Sequence, residues 1–458
     1  MMNAFERLPK SWRVALIVLY GTLVAAFVAF VVYRRQALVE GVIDLNGFGA
    51  VARNLAHGEG FSLGHGPTVR RAPVYPFFGA ALLQLFGTTN ATTPAELFRP
   101  LLIANCVIMG LTCLVVWRLA SELFGSGVGL LAAIICPLVP QSLRYAGMTE
   151  VETMMGLWSA LLALTGFRLV QQPSIGRGAA FGVTVAVATL TKAIALLYPL
   201  VFLPLAFWHW RRARVLDRRA VVASAVAVVC FGLLLVPWSL RNMAVTNGQF
   251  KGVSSNGPGE FLRGYVNAQP KYFLLRQDFG GGGPGEKWDP EANDFEEKLL
   301  RPHGIPFYRA GKYFNGGTTW TPPMPKGVSS AMLEVEKDRV ESAEMKRRLL
   351  QEPGAFVYKF GVQLASFWYI VETRKKSMIV GSIALIMLAL AALGVRRAAR
   401  SGTLVWPVLV VVLYFNLIYA AFLAFARYSM PLFPTLTVLS AGGLSWLFER
   451  VYSRRSTR

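Results

Sequence analysis

Long apolar stretches alternate with short polar connections along most of the chain, and their lengths decide the fold class. A helix needs about 20 residues to cross roughly 30 Å of hydrocarbon. Runs of that order occupy residues 14–33, 99–120, 127–143, 151–169, 178–191, 193–210, 219–239, 377–395, 403–424 and 428–448. Those at 127–143, 178–191 and 193–210 are short or divided only by Lys192, so their limits are the least defined. The pattern predicts an all-α, polytopic membrane protein with ten or eleven transmembrane helices. Residues 14–33 follow Arg7, Lys10 and Arg13, as a signal peptide would. The run exceeds a signal core and no small-x-small site follows, so it is read as the first spanning helix.

Two segments break the alternation. Between residues 34 and 99, Asp44–His57 reads as a short amphipathic helix with Phe48, Val51 and Leu55 on one face, stopped by Gly58 and Gly60. Pro73–Phe86 is apolar but too short to span, and is expected to lie along the interface. The second segment, 241–376, is far longer than an ordinary connection. It is rich in Gly, Pro, Asn and aromatic residues, then turns helical over Met332–Leu350, with a further aromatic amphipathic helix at Ala355–Glu372. Three regions follow: a membrane module over 1–240 containing the first loop, a loop region over 241–376, and C-terminal spans over 377–458. The glycines at 280–283 and 285 lack the flanking strand, the helix and the Lys-Ser/Thr ending of a phosphate loop, and are read as a mobile connection.

Charge refines this picture. Only 16% of residues are charged, against about a quarter in soluble chains. The 47 basic residues outnumber the 25 acidic ones, but mostly sit in short segments between spans, where they orient the chain rather than bind nucleic acid. With the N-terminus cytoplasmic, Arg118, Arg168, Arg177, Arg211, Arg212, Arg214, Arg218, Arg219, Arg396, Arg397, Arg400 and Arg450 all face the cytoplasm. Both loop segments then face outward, although Arg34 and Arg35 run against the rule. The expected location is the plasma (bacterial inner) membrane, with both termini inside. Cys106, Cys113, Cys136 and Cys230 lie in apolar runs without CxxC spacing and behave as small hydrophobes.

Ionisable residues at a membrane edge are costly and are therefore candidates for function. Asp44, Arg70, Arg71, Glu150, Glu152, Lys192, Arg241 and Arg427 all fall on the expected outer side. Cations there suit a phosphate, and a carboxylate suits proton abstraction from an attacking hydroxyl or amine. Plainer readings stand beside these. Arg and Lys at helix ends snorkel to headgroups, Asp44 caps a helix, and Glu150 or Glu152 complements a helix N-terminus. Pro431 and Pro434 within one apolar run imply a broken helix whose freed carbonyls line a cavity. The histidines lack metal-site spacing; a single divalent ion on Asp44 and Glu150 stays open.

In their order along the chain these motifs resemble the GT-C glycosyltransferases, in the branch of protein O-mannosyltransferases and lipid A aminoarabinose transferases. The residues that carry the likeness begin with Asp44 and Ala52-x-Asn54-Leu55-x-x-Gly58-x-Gly60-Phe61. Arg71-x-Pro73-x-Tyr75-Pro76, Thr149-Glu150 and Leu190-Thr191-Lys192 follow. Pro237-Trp238-x-x-Arg241-Asn242, Ser255-Asn256-Gly257 and Arg427-Tyr428-x-x-Pro431-x-x-Pro434 complete the series. The resemblance implies transfer of a sugar from a polyprenyl-phosphate donor to a lipid, glycan or protein acceptor on the outer face, with inversion. It implies Asp44 as base or acceptor-positioning group, Glu150 (or Glu152) as a second acidic residue, and Arg71, Lys192, Arg241 and Arg427 around the donor phosphate. Tyr75, Asn242 and Tyr428, which belong to the same motifs, are assigned to the substrate cleft. Where the family more often has Arg, this chain has Lys192, and its first loop carries a single Asp rather than an acidic pair. Acceptor recognition is expected to rest on residues 241–376. Two other readings compete: a polysaccharide polymerase or ligase using lipid-diphosphate donors, which would not need Asp44, and a non-enzymatic lipid-linked sugar transporter, which would carry polar residues through the bundle's depth.

Overall fold

The computed structural model describes residues 6, 8–36, 46–63, 66–90, 94–140, 145–269, 290–305, 307–308, 320–321, 329–371 and 374–456. Asp44 and the glycines at 280–283 and 285 lie outside the described residues. The described residues are mostly helical. Two-residue strands Phe307–Tyr308 and Trp320–Thr321 pair antiparallel and leave the all-α reading intact.

Among the described residues, seven helices are long and apolar enough to cross a membrane. They correspond to α1 (Lys10–Gln36), α4 (Pro94–Phe124), α6 (Glu152–Gln171), α8 (Tyr198–Arg212), α9 (Arg218–Val245), α14 (Arg374–Ser401) and α17 (Phe433–Ser456). Shorter apolar helices are α3 (Val74–Leu85), α5 (Ser126–Ile135), α7 (Ile175–Thr191) and α15 (Trp406–Ala421). Each of the ten apolar runs in the sequence thus contains a helix, and the eleventh, α3, is the segment expected at the interface.

Hydrophobicity cannot hold helices together in lipid, so close backbone approach takes over. Gly178 and Gly182 of α7 abut the backbone at Ala223 and Ala227 of α9, leaving no room for a Cβ. Gly394 of α14 and Gly443 of α17 meet Leu439 and Leu390 in the same way. Large exposed side chains such as Leu19, Phe27, Val228, Leu233, Leu385 and Ile386 cover the outside of the bundle.

The two ends of the bundle differ. At one, Arg118 and Arg168 share Glu122, and Arg397 bonds to Glu449. The opposite end carries α2 (Phe48–Ala56), α3, α10 (Gly257–Asn267), α11 (Pro290–Leu300), α12 (Ser330–Gln351) and α13 (Pro353–Tyr369). Helix α2 starts after Gly47 at φ 73° and is stopped by Gly58 and Gly60, both at positive φ, as the sequence requires. Gly79 of α3 lets that helix sit against Ala52 of α2.

Helix α12 fastens the two loop regions to one another. Its Glu334 accepts from Thr68 Oγ1 at 2.6 Å and from the Val69 amide at 2.7 Å. Ser255 N donates to Val69 O at 3.0 Å. Burial raises the Glu334 carboxyl above its ordinary range, opposed by those two hydrogen bonds.

Candidate active site

Between the bundle and the loop helices lies a cavity of about 330 Å³. Its walls include Arg70, Arg71, Lys192 and Arg427, together with the rings of Tyr419 and Tyr428.

Arg427 reaches this place because the chain breaks before α17. Helix α16 (Ala426–Ser429) passes into a 3-10 turn over Met430–Leu432, and α17 begins at Phe433. Pro431 lacks an amide donor and so favours this break, while Pro434 is tolerated in a first turn. Arg427 Nη2 bonds to Glu150 Oε2 at 2.6 Å, and its Nε to Glu152 Oε1 at 2.7 Å. Both carboxylates are fully buried at the start of α6. Asn46 Nδ2 adds bonds of 3.1 and 3.0 Å to the two oxygens of Glu150.

Lys192 ends α7 in an extended conformation, φ −152° and ψ 117°. Its Nζ sits 3.4 Å from Glu152 Oε1 and 4.6 Å from the centre of the Tyr428 ring. The rings of Tyr419 and Tyr428 stack with centroids 4.7 Å apart and planes at 8°. Arg71 is held by a 2.8 Å bond from its Nε to Asn46 O and lies over Phe48.

The candidates from the sequence therefore separate. Arg71, Lys192, Arg427 and Tyr428 are brought to one cavity. Glu150 sits behind Arg427 as its ion-pair partner, and Glu152 joins it. Arg241 lies elsewhere and ties the first loop down: Nη1 donates to Thr68 O at 2.6 Å and Nη2 to Phe61 O at 3.0 Å, with Trp238 and Phe61 flanking the guanidinium. Asn242 secures residues 252 and 253 by bonds from its Nδ2 to their carbonyls. Tyr75 is buried against Asn105. Arg241, Asn242 and Tyr75 thus build the frame and do not line this cavity. Asp44, two residues before Asn46, is outside the described residues.

Glu260 of α10 is the one carboxylate among the described residues lining the cavity, and nothing in its local sequence marks it. Both Glu150 oxygens are engaged by Arg427 and Asn46, which does not fit an open metal ligand. Among the described residues no group of three or more His, Cys, Asp or Glu is placed to hold an ion.

Comparison with known proteins agrees with this architecture. Residues 70–238 match the family model of dolichyl-phosphate-mannose-protein mannosyltransferase. No curated protein matches the chain. The apo crystal structure of the Archaeoglobus fulgidus oligosaccharyltransferase is similar at 14% identity and a TM-score of 0.58, covering 98% of this chain and 52% of that one. The oligosaccharyltransferase AglB from the same organism, in complex with an inhibitory peptide and a dolichol-phosphate, aligns at 13% identity with a TM-score of 0.55 and the same coverage. This chain spans about half the length of those structures, and at such identity the likeness shows the fold alone. Motif order, the matched stretch over residues 70–238 and the arrangement of helices converge on one conclusion: this chain is a multi-pass membrane protein with the GT-C glycosyltransferase fold.

Proposed function

We propose that this protein transfers a sugar from a polyprenyl-phosphate donor to a lipid, glycan or protein acceptor on the extracytoplasmic face of the bacterial inner membrane. The observation that carries the reading is the charge of the cavity: four cations line it, against Glu260 in the described lining and Glu150 and Glu152 behind Arg427. Such a surplus suits a phosphate group at the headgroup level, where charge-assisted hydrogen bonds are strong. The dolichol-phosphate held by the archaeal AglB structure belongs to the same ligand class.

In the reaction the acceptor oxygen or nitrogen attacks the anomeric carbon in line. The bond from that carbon to the phosphate oxygen breaks, and configuration inverts. The departing polyprenyl phosphate keeps the electron pair, and Lys192, Arg427 and Arg71 neutralise its charge. Asp44 takes the proton from the acceptor nucleophile. Glu150 and Glu152 act through Arg427 as positioning residues, since a guanidinium gripped by two carboxylates has little freedom to turn.

Transfer of label from a panel of polyprenyl-phosphate sugars in proteoliposomes tests the reading. Asp44→Asn is expected to lose turnover while keeping lipid binding, and full turnover in that variant removes the base assignment. Cys placed at Gly282 is expected to react with an impermeant reagent from outside; reaction only from inside refutes the orientation.

A further inference from the structure

Glu260 is the acidic group that the reaction scheme leaves unused. It stands in the first turn of α10 and lines the same cavity as Arg70, Arg71, Lys192 and Arg427. Asn256 Nδ2 donates to its Oε1 at 2.7 Å. Its Oε2 is buried and has no hydrogen-bond partner among the described residues. A helix N-terminus and Asn256 account for the first oxygen and the charge. They leave the second oxygen as a buried acceptor facing the loss of its hydration, a state that native structures rarely tolerate without a ligand or water.

The surroundings restrict what can fill that position. The partner must bring an O–H or N–H. Arg70, Arg71, Lys192 and Arg427 line the same cavity, and like charges repel, so an ammonium is disfavoured and a neutral hydroxyl favoured. Ser254 and Asn256 add polar groups to the lining that holds Glu260, and Tyr419, Phe422 and Tyr428 add apolar ring surface to it. Several polar groups converging beside aromatic walls match a ligand with adjacent hydroxyls on an otherwise C–H-covered ring.

The geometry points to Glu260, with Asn256, as the hydroxyl-binding end of a sugar subsite bounded by Tyr419, Phe422 and Tyr428. This inference rests on the transferase reading and deepens it: the phosphate and the sugar share one cavity, the cations holding the first and Glu260 of the loop helix the second. The sugar is that of the donor or that of a glycan acceptor, and their shared chemistry is the set of adjacent hydroxyls.

The test separates the phosphate from the sugar and the donor from the acceptor. Three ligands are used with the full chain in nanodiscs: bare undecaprenyl phosphate, undecaprenyl-phosphate-mannose, and octyl mannoside as acceptor probe in the transfer assay. Glu260→Gln removes the charge at constant shape and is expected to leave the Kd of the bare lipid within about twofold. Loss of a hydrogen bond to a charged group is expected to weaken one of the other two by about tenfold or more. A change in the Kd of the glycosylated lipid assigns the donor sugar; a change in the KM of octyl mannoside, with kcat much less affected, assigns a glycan acceptor. Asn256→Ser, which leaves Glu260 in place but frees its Oε1, is expected to move the same quantity in the same direction by less. Equal values for wild type and Glu260→Gln with all three ligands overturn the inference, as does a bare-lipid Kd that changes as much as the others. A wild type that binds the bare lipid but gains nothing from the mannose and does not use octyl mannoside overturns the sugar subsite alone. Failure of the wild type to bind the bare lipid removes the transferase reading and this inference with it.

Discussion

Two clusters of buried charge lie within the same half of this molecule, and they are built differently. In the loop region, Glu296 pairs with Arg263 at 2.7 Å and with Lys337, and Lys337 lies 3.7 Å from Glu341. Three helices, α10, α11 and α12, are joined there by two cations and two carboxylates. Burial alone raises the Glu296 carboxyl, but Arg263 and Lys337 outweigh it and hold that group below its usual range. In the cavity, Arg427 and Lys192 are likewise joined to Glu150 and Glu152, but Arg70 and Arg71 stand beside them and the cationic groups face open volume. A closed set of charges organises a fold, whereas an open set with surplus charge is prepared for a counter-ion. Arg70 connects the two, because its charge also acts on Glu296, Glu334 and Glu341.

The largest effect is expected at the residue that both fold and site need. Arg427→Ala strands two fully buried carboxylates, and removing one partner of a buried pair costs about 3–5 kcal/mol. Thermal unfolding in detergent should show a large drop in Tm together with loss of transfer. Arg427→Lys keeps the charge but cannot grip both carboxylates in the same plane, so it should recover stability more than activity.

The closed cluster offers the contrast. Glu296→Gln should cost about 1.5–3 kcal/mol, the worth of charged hydrogen bonds, and leave undecaprenyl phosphate affinity unchanged in the folded fraction. If lipid affinity falls as far as stability does, the division between structural and ligand-binding charge is wrong.

The same cluster predicts a pH dependence. Burial raises the Glu341 carboxyl to about 7, opposed in part by Lys337. The folded state then holds a proton that the unfolded state releases above pH 4.5, the ordinary value for this group. Its contribution to stability is present below that value and is lost as pH rises through 7, at no more than about 1.4 kcal/mol per pH unit. Glu341→Gln should flatten that slope in chemical denaturation. Burial lowers Lys359 to about 7, which gives the opposite slope, with stability rising from pH 7 towards 10. Lys359→Met should remove that rise.

The smallest effect on stability is expected at Lys192, which is only partly buried and lies 3.4 Å from Glu152. Lys192→Ala should change unfolding by about 1 kcal/mol, since Arg427 still holds the buried Glu152, while weakening undecaprenyl phosphate binding about tenfold. Equilibrium binding in nanodiscs, run beside unfolding of the same preparation, checks both numbers.

What could be read from the sequence follows from how local each cause is. Spans, amphipathic α2 and the break before α17 depend on periodicity and on Gly or Pro at fixed offsets, and all are visible in the chain. Lys192 and Arg427 are visible too, because charge at the edge of an apolar run is conspicuous. Arg241 was equally conspicuous and was expected at the phosphate, yet its guanidinium turns to the carbonyls of Phe61 and Thr68. That preference depends on where the first loop is pinned, and the pin is Glu334, 266 positions after Thr68. Glu260 went unnoticed for the same reason: its own sequence, Pro-Gly-Glu-Phe, is that of an ordinary loop helix, and only the docking of α10 brings it to the cavity. Glu150 was legible as important, but its engagement by Arg427 depends on contact across 277 positions.

The central claim is that the cavity between bundle and loop helices receives the lipid phosphate. A second basic hollow, lined by Arg118, Arg168 and Arg177, lies at the opposite end of the bundle and provides an internal rival. Photo-crosslinking with an undecaprenyl phosphate carrying a photoreactive group next to the phosphate, read by peptide mapping, decides between them. Adducts are expected at Ile194, Leu423 and Tyr428, which line the cavity, and are expected to be lost in Lys192→Ala. Adducts at Thr165, Gln172 or Ala180 beside the rival arginines, unchanged in Lys192→Ala, would contradict that claim.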